Sequence, residues 1–235
     1  MEVKQQEVYE NGGLNGAILK WIAILSMAID HFAAGFLSDY NQASAMDLDE
    51  AYTISRLIGR LAFPIFAFLI IQGYQHTSNR RQYMMKLLLF ALVSEIPFDL
   101  AFYNQFFAWT HQNIFFTLAI GVMGFTLYEA YEKEEKVPLQ ILAFVLSGLV
   151  AALLNVDYGF YGIILIFGLG ILRDNKTSQV IFGMFIGLAQ SLATSLAFLP
   201  IWFYNGKRGR QNKWFFYIFY PAHLLIIYLL RNLML

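Results

Sequence analysis

Long apolar runs follow one another along almost the whole chain, and only short polar connectors separate them. Such runs are stable in lipid, where each segment must satisfy its own backbone N–H and C=O groups, and that requirement makes each one an α-helix. A crossing of ~30 Å takes about 20 helical residues. By that measure helices are predicted at residues 17–38, 52–73, 83–103, 113–131 and 214–232. Residues 138–154 and 158–172 are each short for a full crossing and are separated only by Asn155, Val156 and Asp157, so they read as a tight helical hairpin. Residues 179–203 can form one long helix or, broken near Gln190 and Ser191, two short ones.

Composition agrees with lipid as the solvent. The 235 residues are 58% hydrophobic and 14% charged, against about 25% charged in typical soluble domains. Sixteen basic residues balance sixteen acidic ones, and no basic stripe with interleaved aromatics is present, which argues against nucleic acid as a partner. With no cysteine there is no disulfide, thiolate metal site or nucleophilic thiol. The opening residues are polar and mixed in charge, unlike a signal peptide, so the first apolar run is expected to stay as a helix.

Loop charge sets the expected topology, because cytoplasmic loops are enriched in Lys and Arg. The connector with Arg80, Arg81 and Lys86 should be inside, and the one with Asp39, Asp47, Asp49 and Glu50 outside, which puts the N-terminus in the cytoplasm. Arg173 and Lys176 then fall inside. Lys207, Arg208, Arg210 and Lys213 fall inside only if residues 179–203 make two passes. The expected fold is therefore an all-α, polytopic transmembrane bundle of about nine segments with short loops. It forms a single integral membrane domain over residues 1–235, with residues 1–16 as a short cytoplasmic segment, in a multi-pass protein of the cell membrane.

Ionisable groups inside apolar helices cost at least about 2.5–3.5 kcal/mol each on insertion scales, and this chain has many. Asp30 and His31 lie on the first helix, Arg56 and Arg60 on the second, Glu95 and Asp99 on the third. The four-residue spacing of the last two pairs puts each pair on one helix face, so two cations can face two anions, and all six groups fall at one depth in the outer half. A buried ion network that only fixes helix packing explains the four charges as well as a functional site does. His31 is a candidate general base, with Glu95 or Asp99 to orient its imidazole, since Asp30 points about 100° away around the helix. His223 follows Pro221 in the last predicted helix, with Tyr217 and Tyr220 near enough in sequence to share a polar pocket; it is the competing base. His111 and His76 read as solvated loop residues. No His or Cys spacing marks a metal site, no phosphate-binding glycine loop is present, and Ser147 has no nearby base. Helical glycines such as Gly124 and Gly187 read as close-packing positions.

Lys20 and His31 are eleven residues apart, close to three turns, so they share a face about 16 Å apart along the axis. A basic group at the cytoplasmic edge could hold phosphates there while a thin acyl-bearing arm reaches the base. The run from Leu19 through Asp30-His31, then Arg56-Leu57-Ile58-Gly59-Arg60-Leu61-Ala62-Phe63-Pro64, resembles the TraX family of membrane proteins. Ser94-Glu95-Ile96-Pro97-Phe98-Asp99, Asn113-Ile114-Phe115-Phe116-Thr117 and Tyr220-Pro221-Ala222-His223 continue the likeness, which fades between about residues 132 and 212. That resemblance implies association with N-terminal acetylation of pilin. More distantly, a basic residue, a ten-residue spacer and a histidine are similar to the signature of acyltransferase family 3, which implies roles for Lys20, His31, Arg56 and Arg60.

These observations lead to an expected membrane acetyltransferase, with acetyl-CoA as donor and an extracytoplasmic peptide or glycan, through an amine or hydroxyl, as acceptor. His31, Glu95, Asp99, Arg56 and Arg60 would be the catalytic set. Lys20, Lys207, Arg208, Arg210 and Lys213 would bind the donor, and Asp30, Tyr220 and His223 the acceptor; no metal is expected. The rival is a small-solute or proton-coupled transporter, which would also gather charge at mid-depth.

Overall fold

The computed structural model describes residues 12–43 and 47–235; the side chains of Ala43 and Lys213 are outside the description, as is most of the expected N-terminal cytoplasmic segment. The described residues are helical with no strand; two isolated bridges, Leu14 with Tyr204 and Gln112 with Val156, tie loops together. In chain order the helices are α1 (Gly16–Phe32), a π-helical turn (Ala33–Leu37), α2 (Ser38–Ala43), α3 (Asp49–Gly59), α4 (Ala62–His76), α5 (Arg80–Tyr103) and α6 (Ile114–Lys133). After these come α7 (Val137–Leu153), α8 (Gly159–Ile171), α9 (Lys176–Leu188), α10 (Leu192–Leu196), α11 (Phe198–Trp202) and α12 (Lys213–Met234).

Asparagine starts many of these helices. The side-chain oxygens of Asn15, Asn79, Asn113, Asn175 and Asn212 each accept a backbone N–H of the first turn, at 2.9–3.0 Å, satisfying donors that lipid could not. Proline marks where helices yield. Pro64 lacks an N–H, and its ring conflicts with the carbonyl four residues back, that of Arg60. The second predicted helix accordingly breaks at Arg60 and Leu61, whose N–H groups turn back three residues to Leu57 and Ile58. Arg56 lies in the last turn of α3 and Arg60 caps its C-terminus in helical backbone conformation, so the pair keeps its four-residue spacing at the end of that helix.

Among the described residues, four helical stretches are long and apolar enough to cross a membrane: Gly16–Gln42, Asp49–His76 across the bend at Arg60, Ile114–Lys133 and Trp214–Met234. Large apolar side chains such as Leu25, Leu92, Ile181 and Phe185 face outward, as lipid contact requires. At the centre, α8 has Ile163, Leu165, Ile166 and Leu169 fully buried against α4, α6 and α7. A helix apolar on every face belongs inside the bundle, which explains why α8 can be only 13 residues long. A Cβ on Gly124 would overlap the Ser147 hydroxyl, so α6 and α7 meet there without an intervening side chain.

Residues 179–203 break as their second reading requires. Ser191 caps α10, Ser195 Oγ donates to the Met184 carbonyl at 2.9 Å, and the Gly187 position lies against the Ser195 backbone, so the arms fold back on each other. Lys176 Nζ donates to the Tyr204 carbonyl at 3.0 Å, which puts both ends of this hairpin at one end of the bundle. Its arms, the 13-residue α9 and the stretch Leu192–Trp202, are shorter than a full crossing.

Each end of the bundle is laced by backbone bonds. At the Lys20 end, Leu14 N–H donates to Phe203 O and Gly16 N–H to Lys207 O, both at 2.8 Å, while Asn205 N–H donates to Leu14 O at 2.9 Å. At the His31 end, Asp157 N–H donates to Gln112 O at 2.9 Å, and the Asn155 amide bonds to Thr110 O. The α5–α6 loop and the α7–α8 connector are thereby one unit.

Candidate functional site within the bundle

Two helices reach the His31 end irregularly. The π turn follows His31 by one residue, and within it Gly35 lies where a Cβ would press on Ile227 of α12 and the Ala101 carbonyl of α5. On α12, Pro221 removes the donor for the Tyr217 carbonyl. Between these distortions His31 Nδ1 meets His223 Nε2 at 2.8 Å. The ring planes are 10° apart with centroids 5.1 Å apart, which is the separation of two rings joined in line through that bond. His223 Nδ1 lies 2.8 Å from the Phe219 carbonyl oxygen one turn back. Phe102 and Tyr220 meet the His31 ring edge-on, and Phe219 stacks on His223. His223 and Tyr220 are buried, and His31 is part-buried.

Beside this pair, Arg56 Nη1 donates to Asp30 Oδ2 at 2.8 Å. The partner of Arg56 is thus on α1 and not on α5, contrary to the expected meeting of two cations with Glu95 and Asp99. Among the described residues the Arg60 guanidinium has no hydrogen-bond or ion-pair partner, although Asp30 and Tyr158 lie within its electrostatic reach.

Glu95 and Asp99 are placed elsewhere. Glu95 Oε2 accepts from the Asn113 backbone N–H at 3.1 Å and from its side-chain amide; Asp99 Oδ2 accepts from Ala108 N–H at 2.8 Å. Both anchor the α5–α6 loop, and neither contacts His31. The side chain that His31 Nδ1 meets is His223. Tyr217, expected beside His223, instead stacks on Phe90 of α5 at 4.2 Å.

Sequence reasoning missed two contributors. His111 Nε2 and Asp157 Oδ1 stand 3.6 Å apart, joining the two loops. The nearby Asp157 carboxylate raises the histidine's proton affinity above its ordinary value, partial burial opposing it and Glu95 adding to it. Asp157 also lies within electrostatic reach of Asp30, Tyr158 and Tyr220. Nothing in the short connector Asn155-Val156-Asp157 marks that position, because its neighbours come from three other segments.

At the opposite end, Lys20 Nζ donates to Gln211 Oε1 at 2.7 Å and sits 4.8 Å from the Phe216 ring centroid. Lys207, Arg208 and Arg210 belong to the loop bonded to residues 14–16, so four of the five expected donor-binding cations gather there; the side chain of Lys213 lies outside the described residues. A second cluster missed by sequence joins four segments at this end. Glu129 accepts from Tyr74 at 2.9 Å, pairs with Arg80, and stands 3.3 Å from Arg173. Among the described residues no group of three or more His, Cys, Asp or Glu is arranged to hold a metal ion.

A bundle of apolar helices enclosing an imidazole pair, an ion pair and an unpaired guanidinium defines a polytopic membrane protein with an internal polar site. The chain belongs to the TraX family, whose model, described as TraX protein, matches residues 15–231. The match runs through residues 132–212, where the sequence motifs fade. The chain is also 30% identical over 245 residues, 89% of this chain and 92% of the relative, to the probable fimbrial assembly protein FimC, serogroup H1, of Dichelobacter nodosus. No solved structure matches.

Proposed function

We propose that this protein is a membrane acetyltransferase that takes acetyl from acetyl-CoA at the Lys20 end and delivers it to a nucleophile at the His31 end. The observation that carries this is a hydrogen-bonded histidine on the same helix face as Lys20, about 16 Å away by helical rise. Arg80, Arg81, Arg173, Lys176, Lys207, Arg208 and Arg210 all stand at the Lys20 end, which supports a cytoplasmic assignment for it. Lys20 and the 207–210 loop would hold the donor phosphates.

His31 removes the acceptor's proton as its nitrogen or oxygen attacks the thioester carbonyl. Arg60, with no competing carboxylate bond, stabilises the oxyanion of the tetrahedral intermediate. As that intermediate collapses the C–S bond breaks, and the proton held by His31 passes to the departing thiolate. The net change is one acceptor N–H or O–H lost and one thiol gained, with no oxidant or metal required. The name of the Dichelobacter relative favours a surface-fibre subunit, and hence its terminal amine, as acceptor over a cell-surface glycan.

The test is purified protein in detergent with acetyl-CoA labelled in the acetyl group, incubated with and without fibre-subunit peptides. Peptide-dependent transfer that falls by roughly a hundredfold in His31→Ala is the expected result. Label that stays on CoA with every acceptor, while vesicles containing the protein move a solute, would replace the transferase by a transporter.

A further inference from the structure

We infer that His223 is a positioning residue that fixes the tautomer of His31, leaving His31 Nε2 as the only free imidazole nitrogen of the pair. The inference rests on reading this site as the acyl-transfer centre.

The chain of protons runs in one direction. The Phe219 carbonyl oxygen, 2.8 Å from His223 Nδ1, can only accept, so His223 Nδ1 carries a hydrogen. In a neutral imidazole the other nitrogen is then a bare acceptor. That nitrogen, His223 Nε2, is 2.8 Å from His31 Nδ1, which must therefore be the donor. His31 Nε2 is left with its lone pair. Phe102, Phe219 and Tyr220 around the rings favour the neutral pair over a cationic one.

This arrangement separates two histidines that sequence leaves as rivals. Both nitrogens of His223 are engaged, one by a carbonyl and one by His31, so His223 has no lone pair to offer an acceptor. His31 has one, held in a fixed direction by its in-line partner. A carboxylate is the commoner orienting group for a catalytic histidine, but an unpaired carboxylate inside a membrane is costly. A second imidazole, itself anchored on its own helix backbone, holds the tautomer without a formal charge. When His31 Nε2 accepts a proton, the Nδ1–H bond to His223 shares the resulting charge.

Nitrogen-15 NMR of the full chain, labelled on histidine and purified in detergent, tests this without any substrate. Only four histidines are present, and single replacements of His76 and His111 by Asn assign the spectrum. The expected result is a His31 ring protonated at Nδ1 and bare at Nε2, converting to a tautomer mixture in His223→Ala. In the transfer assay His223→Leu should lose ~10-fold or more in kcat with little change in KM for acetyl-CoA, while His223→Gln, whose side-chain oxygen can accept from His31 Nδ1, regains part of it. A wild-type His31 protonated at Nε2 and bare at Nδ1 overturns the inference, as does a tautomer unaltered by His223→Ala. The expected tautomer without any acetyl transfer would uphold the pairing and overturn the proposed reaction instead.

Discussion

Asp30 is clamped between two elements of one neighbouring helix: Arg56 Nη1 donates to its carboxylate at 2.8 Å, and Gly59, one turn further on, lies so near that a Cβ there would overlap the carboxyl group. The ion pair thus depends on a residue with no side chain. Gly59→Ala should push Asp30 off Arg56 and lower stability by about 1–3 kcal/mol, the usual cost of overpacking. Thermal unfolding in detergent measures it, and a variant as stable as wild type would show that the α1–α3 contact is looser than described.

The same pair predicts non-additivity. Asp30→Asn leaves a guanidinium without its carboxylate, and Arg56→Gln leaves the reverse. The double variant should unfold at a higher temperature than either single one, because breaking a partly buried pair costs more than removing both charges. Strictly additive losses would mean the pair contributes no coupling.

Arg56 and Arg60 should separate in their effects. Arg56→Gln is expected to reduce stability, and Arg60→Gln to reduce the rate of acetyl transfer by roughly 100-fold or more at unchanged stability, as loss of an oxyanion donor does. Parallel melting and transfer assays decide it; a stability loss in Arg60→Gln as large as in Arg56→Gln would assign Arg60 to the scaffold.

His111 and Asp157 make the joined loops pH-sensitive. Because Asp157 raises the folded-state proton affinity of His111 above its unfolded value, the stabilisation is complete below the unfolded value, about pH 6.5. It fades as pH rises through the higher folded value. Asp157→Asn should thus be less stable than wild type at pH 5.5–6, with the gap closing towards alkaline pH. A gap that widens with pH would reverse the sign and exclude the pair as its source.

Sidedness can be read chemically, since the chain has no cysteine of its own. Single cysteines at Asn79, Asp174 and Gly209 should react with an impermeant thiol reagent from one side, and those at Gln105 and Asn155 from the other. Reaction of the Gly209 cysteine from the Gln105 side would contradict the hairpin at residues 179–203.

What could be read from sequence divides by the range of the interaction. Helices were legible because each apolar run must close its own hydrogen bonds, and the break near Gln190 and Ser191 followed from residues at the break itself. The bend after Arg60 is equally local, since Pro64 announces it. Partners were not legible. Nothing in the α5 sequence tells that Glu95 would meet Asn113 and Asp99 the Ala108 backbone, because those partners arrive with a loop whose path depends on its junction with residues 155–157. His31 and His223 are 192 positions apart, and both were suspected singly; only the packing of α12 along α1 shows that they are one group.

That packing is parallel and repeats. Lys20 meets Gln211 and Phe216, His31 meets His223, and Asp39 meets Arg231 at 2.8 Å. The steps from His31 to Asp39 and from His223 to Arg231 are equal in residues. In a straight α-helix that step overshoots two turns by about 80°; the wider i→i+5 turn at Ala33–Leu37 winds less per residue and so turns Asp39 back towards α12. The extra width of one turn is what keeps the contacts at His31 and at Asp39 in one register with α12. On the proposed reading α1 is a ruler, whose rise between Lys20 and His31 sets how far a bound arm would have to extend from the lysine to the imidazole.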